Sequence, residues 1–119
     1  MTADDFRELA LGIPQSVESA HVNHPDFRIG RKVFASLGVP DASWGMVKLT
    51  VEEQGSFIKQ APNVFRPCYG AWGRRGYTNV CLASARKSVL RPALEAAAKN
   101  VASRAKRKQT HHDKRGKAA

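Results

Sequence analysis

The chain opens on a helical period. Phe6, Leu9, Ala10 and Ile13 recur three and four residues apart behind Thr2 and Asp5, which stand where an N-cap and an acidic first-turn residue belong. A helix is predicted from about Ala3 to Gly12, ahead of Pro14. From Ser16 the period drops to two, with Val17, Ser19 and His21 on one face and Glu18, Ala20 and Val22 on the other, the mark of a strand. Phe27 and Ile29, then Val33, Ala35 and Leu37, alternate on either side of Gly30-Arg31. A glycine in the first central position suits a type II′ turn, which would set Phe27 opposite Phe34. Gly38 to Ser43 reads as a turn and Trp44 to Leu49 as the next strand.

Thr50 and Glu53 have capping-box spacing and open a second helix that should stop before Pro62, with Val51, Gly55 and Ile58 on one face. Val64 to Tyr69 and Tyr77 to Leu82 read as strands around a tight Gly73-Arg74-Arg75-Gly76 loop. That pairing sets Trp72 against Tyr77 and, without a bulge, Cys68 against Cys81. The last helix carries Leu90, Leu94, Ala97 and Val101 on one stripe, and tolerates Pro92 only near its first turn. Beyond Val101 there is no apolar stripe to bury. One α+β domain is therefore expected over residues 1–102, and a basic tail over 103–119, disordered from about residue 109.

Charge changes this picture of an ordinary small domain. From residue 64 onward there are fourteen basic side chains against Glu95 and Asp113, a net of +12, whereas the first 63 residues hold six basic and eight acidic ones, a net of −2. Such asymmetry points to a polyanionic partner, DNA in the first place, with RNA sharing the same phosphate chemistry. Two predicted turns are basic: Arg28, Arg31 and Lys32 surround Gly30, and Arg74 and Arg75 lie between Gly73 and Gly76. Guanidinium forks match phosphate geometry, so two protruding basic hairpins can straddle a phosphate backbone, with Trp72 and Tyr77 anchoring the second. In the tail, Arg104, Lys106, Arg107 and Lys108 offer a further electrostatic contact.

Other chemistries are less well supplied. No apolar run approaches the roughly 18 residues of a membrane span, and the acidic start lacks the basic-then-apolar order of a secretory signal, so a soluble cytoplasmic protein is expected. Cys68 and Cys81 do not make a disulfide framework or a four-ligand zinc spacing. His21 and His24 with either cysteine form a weak metal pattern, outweighed by ordinary structural roles, and no metal or cofactor is expected. Nucleophile elbow, phosphate loop, paired histidines with a glutamate and deaminase pattern are all missing, which argues against an enzyme.

Several segments together resemble the MmcQ/YjbR family of small bacterial proteins. They are Asp5-Phe6-Arg7, His24-Pro25-Asp26-Phe27-Arg28, Lys32-Val33-Phe34-Ala35, Lys48-Leu49 and Ala71-Trp72-Gly73-Arg74-Arg75-Gly76-Tyr77, followed by a final helix. The likeness spans about residues 4 to 102. It implies an antiparallel sheet of about five to six strands with flanking N- and C-terminal helices, in a frataxin-like arrangement, and a double-wing mode of DNA binding. The wings would fall on the Gly30 hairpin and the Gly73–Gly76 loop. Tyr77 stands where the family often has tryptophan, and Ala98-Lys99 where an aromatic usually precedes a basic residue. The alternative to DNA is a module for a small anionic ligand or a protein partner, with Trp72, Tyr77, His21 and Arg28 lining a pocket at the sheet edge.

Overall fold

The computed structural model describes residues 1–118, with side chains for residues 1–102. The basic tail read at 103–119, including Arg104, Lys106, Arg107 and Lys108, lies outside the described side chains, as does its expected disorder. In chain order the elements are α1 (Ala3–Leu11), β1 (Ser16–His21), β2 (His24–Ile29), β3 (Lys32–Leu37), β4 (Trp44–Lys48), α2 (Val51–Gln60), β5 (Phe65–Pro67), α3 (Ala71–Arg74), β6 (Tyr77–Cys81) and α4 (Lys87–Ala118).

Local chemistry sets both capped helices. The Thr2 hydroxyl accepts from the Asp5 amide while the Asp5 carboxylate accepts from the Thr2 amide, and Thr50 and Glu53 repeat the exchange at the start of α2. The apolar stripe of α1 delivers Phe6 and Ala10 to the core. The α4 stripe delivers Leu90, Leu94, Ala97 and Val101, as its period predicts. Because α4 starts at Lys87, Pro92 falls in the second turn, one turn later than expected. In α2 the expected face of Val51, Gly55 and Ile58 holds only at Ile58. Gln54 is buried and Phe57 and Ile58 pack on the core, while Val51 stays 53% exposed.

The six strands form one sheet in the order β1-β2-β3-β4-β6-β5, every neighbouring pair antiparallel. An α+β fold with flanking N- and C-terminal helices is thus observed. Helix α4 lies over β2, β3 and β4, α1 beside it against β1, and α2 against β5 and β6. The helices share one face, where Phe6, Phe27, Phe34, Phe65, Leu90 and Leu94 are almost completely buried. Among the described residues none of α1, α2 and α4 covers the opposite face, whose side chains are the alternate residues of each strand: Trp44, Met46 and Lys48 from β4, and Tyr77, Asn79 and Cys81 from β6.

Two expected pairings change. Gly30 has a φ of +64° and Ile29 faces Lys32 across a two-residue turn, as the glycine-first pair requires. Further along, however, Phe27 sits opposite Ala35 rather than Phe34, because the register slips by one between Phe27 and Arg28. The bulge makes Phe34 an extra residue and lets Phe34 and Ala35 both be buried, leaving Val33 and Ser36 to line the open face. The second change is in the link between β5 and β6. Its Gly73–Gly76 stretch is no hairpin tip: β5 is only three residues long, and the chain makes a helical turn, α3, before entering β6.

Candidate nucleic-acid interface

The α3 turn is built around a buried amide. The Gln54 side chain, reaching from α2, donates from Nε2 to the carbonyls of Gly73 (3.0 Å) and Tyr77 (3.0 Å) and lies 3.2 Å from the Thr78 hydroxyl. Thr78 in turn donates to the Gly76 carbonyl at 2.8 Å. These bonds satisfy carbonyls that a short, irregular connection would otherwise bury without partners. They hold Gly73 and Gly76 inward and leave Arg74 and Arg75 exposed. Sequence reasoning reached the outward arginines by way of a hairpin. The structure reaches them through α3 and the Gln54 clamp.

Strand direction then decides which basic residues share a neighbourhood. Strand β2 ends at Ile29, β3 begins at Lys32, β4 ends at Lys48 and β6 begins at Tyr77, and Lys48 pairs with Tyr77. The Gly30 turn with Arg31 and Lys32, the end of β4 with Lys48, and the α3 turn with Arg74 and Arg75 therefore all lie at one end of the sheet. The two turns are separated by two to three strand spacings, roughly 10–14 Å. Helix α4 reaches that end too: the Asn100 side chain donates to the Lys48 carbonyl (3.3 Å) and to Glu53 (2.8 Å). The chain that continues past Ala102 into the basic tail thus leaves from beside these residues. Glu52 and Glu53 in the first turn of α2 oppose the charge locally, with Glu53 held by the cap and by Asn100.

Arg28 does not join the cluster. It projects on the open sheet face, where Nε and Nη2 donate to the two carboxylate oxygens of Asp26 at 2.8 and 3.0 Å. Asp26 is only 4% exposed, so the pair neutralises a buried carboxylate, and its hydrogen bonds raise the arginine's pKa further. This Arg28 fork is occupied internally rather than offered to a phosphate.

Trp72 and Tyr77 do meet, ring centroids 5.0 Å apart, though through the α3 turn and not as cross-strand partners. They and His21 line one groove of about 780 Å³ on the open face, while Arg28 and His21 line a smaller neighbouring one. The same face holds residues that sequence reasoning passed over: Trp44, Met46, Lys48, Arg66, Tyr69 and Asn79. Their signal was present chiefly in the alternation of β4, where the outward positions Trp44, Met46 and Lys48 are aromatic, thioether and basic rather than small and polar. His24 packs against Gly38 instead of turning toward the cysteines. Among the described residues no group of three His, Cys, Asp or Glu side chains converges as a metal site, and no helix is long and apolar enough to cross a membrane.

The two cysteines are free and not opposed. Cys68 donates to Asn79 Oδ1 (3.1 Å), and its amide bonds the Tyr77 carbonyl, whereas Cys81 pairs across β4 with Trp44. Burial pushes the Cys68 thiol up to about 11, while hydrogen bonding with Ser84 lowers that of Cys81. The thiolate is the reactive form, so at a pH of about 8 a thiol reagent should modify Cys81 at least tens of times faster than Cys68. Peptide mapping after brief alkylation checks this; equal labelling would show that Cys68 is not shielded.

No family model matches the chain, and no curated protein sequence does. Among solved structures, the crystal structure of Deinococcus radiodurans protein DR2400, a DUF419 domain, is similar to it with a TM-score of 0.66 and 18% identity, over 81% of this chain and 75% of that one. The DUF419 group is the MmcQ/YjbR-like family. At this identity the likeness speaks to the fold.

Proposed function

We propose that this chain is a non-enzymatic, cytoplasmic nucleic-acid-binding protein of MmcQ/YjbR type, which grips the phosphate backbone of duplex DNA with one end of its sheet. The observation that carries the reading is topological. Arg31 and Lys32 on one turn and Arg74 and Arg75 on another lie at the same end of the sheet, with Lys48 between them. Their separation, roughly 10–14 Å by strand spacing, is comparable to the ~12 Å width of the B-DNA major groove, so the two tips can meet phosphates on either side of it. In this proposal the two wings are one hairpin and one helical turn. Arg104, Lys106, Arg107 and Lys108 come soon after Asn100 in the sequence and would add sequence-independent contacts.

Salt titration of a short duplex tests the reading. The logarithm of the association constant should fall linearly with the logarithm of salt concentration, with a slope near −0.9 per phosphate neutralised. Removing residues 103–119 should lower the slope and leave binding by the folded domain. Complete loss of binding in the shortened chain would assign the affinity to the tail alone and reject the two-turn grip.

A further inference from the structure

The open face of the sheet has a composition that a mere solvated surface does not need. Three of its aromatic rings each carry a cation: Arg66 lies 4.0 Å from the Trp44 ring centroid, Lys48 5.0 Å from that of Tyr77, and Arg75 5.8 Å from that of Trp72. Beside them Tyr69 is 97% exposed and Trp72 56% exposed, the largest apolar surfaces that the fold leaves in water. Among the described strand residues of this face the one carboxylate, Asp26, is closed off by Arg28. The face is therefore both ring-rich and positive.

We propose that this face is a stacking platform for single-stranded nucleic acid. Bases would stack on Trp72, Tyr69 and the Trp44–Arg66 pair, and phosphates would run past Lys48, Arg66 and Arg75. Aromatic platforms beside a row of cations bind unpaired strands because every base has a π-face and every linkage a charge. The dimensions suit a strand. Trp44 faces Cys81 and Lys48 faces Tyr77, so the two aromatic stations stand four strand residues apart, about 13 Å, or about four stacked nucleotides at ~3.4 Å each. Arg66 lines the groove beside Trp44, while Lys48 and Arg75 stand at its Tyr77–Trp72 end, so the cations occupy two stations instead of one point, which fits a chain of phosphates better than a single anionic group. Asn79, Ser36 and His21 line the floor with polar groups that can meet base edges. The inference rests on the polyanion reading above and extends it: Lys48 and Arg75 belong to both surfaces, so a strand leaving a duplex held at the basic end would pass onto the platform.

The chain's two tryptophans, Trp44 and Trp72, both stand at this face, so their emission reports on it without a label. Full-length protein is titrated with oligo(dT) of about 12 nucleotides while binding of a labelled duplex is followed by anisotropy. Oligo(dT) should quench the tryptophans. Tyr69→Ala should weaken oligo(dT) binding roughly 5- to 100-fold and change duplex affinity less than about twofold; Trp72→Ala, with Trp44 left as reporter, should weaken oligo(dT) binding by a similar factor. Tyr69 is so exposed that its loss cannot unfold the domain. Unchanged oligo(dT) affinity in both variants overturns the platform, and so does an equal loss on duplex in Tyr69→Ala. Equal quenching by thymidine monophosphate also overturns it, in favour of a mononucleotide pocket. If duplex binding is absent but quenching persists, the end-on grip fails and the platform stands; quenching absent with duplex binding intact rejects the platform alone.

Discussion

Replacing Gly76 by alanine should cost about 4 kcal/mol and lower the melting temperature by roughly 20 °C. Gly76 has a φ of +105°, a backbone conformation that side-chain-bearing residues rarely adopt. A Cβ there would overlap the Leu49 carbonyl oxygen and stand 2.8 Å from the Thr50 carbonyl carbon. Both neighbours are main chain, at the junction of β4 with the capped start of α2, so no flexible side chain can swing aside. The Gly76 carbonyl also accepts from Leu49 (3.3 Å) and from Thr78 (2.8 Å), so a shift to relieve the clash strains both. Gly30→Ala is the comparison. Gly30 also has a positive φ, yet nothing lies within 4 Å of its missing Cβ, so the loss should be only about 1 kcal/mol. Thermal melts by circular dichroism separate the two. A Gly76→Ala loss no larger than that of Gly30→Ala would show that the α3 turn is not pinned at this point.

The largest effect on binding is expected from removing both basic turns together. Arg31→Ala, Lys32→Ala, Arg74→Ala and Arg75→Ala in one chain should lower the salt slope for duplex by about 3 to 4 units, and affinity at low salt by on the order of a hundredfold or more. All four side chains are exposed, so the melting temperature should hardly move. Arg28→Ala should do the reverse. It leaves the slope intact, because its fork is already spent on Asp26, and destabilises the fold by stranding a carboxylate that is 4% exposed. An unchanged slope in the fourfold variant, or a lowered one in Arg28→Ala, would move the phosphate contacts away from the sheet end.

How far the sequence could be read depended on how local the deciding forces were. Capping boxes at Thr2 and Thr50 act within four residues, and both helix starts were legible. The α4 stripe and the period-two runs of β1 to β4 were legible for the same reason, and so was the glycine-first turn at Gly30. The bulge at Phe34 was not, since a strand tolerates an extra residue only if its partner and the core gain by it, and alternation alone cannot show that. The face of α2 was misread because Gln54, polar in the sequence, is buried by acceptors supplied from 19 to 24 residues away. Arg28, Arg31 and Lys32 look alike in sequence, yet buried Asp26, two residues before Arg28, removes it from the basic cluster.

By itself, then, the sequence determined the α+β order of elements apart from α3, the two basic turns and the excess of charge after residue 63. Each depends on residue type and short-range period, which the chain carries wherever it goes. Tertiary structure alone decided which charges come together. Antiparallel pairing brings Arg31, Lys32, Lys48, Arg74 and Arg75 to one end, and the Gln54 clamp turns the arginine loop into a helical corner. It also decided that Trp44, Trp72 and Tyr77, up to 33 positions apart in the chain, share one open face. The physical reason is that a strand fixes which side a residue takes, but only its neighbours in the sheet fix what stands beside it.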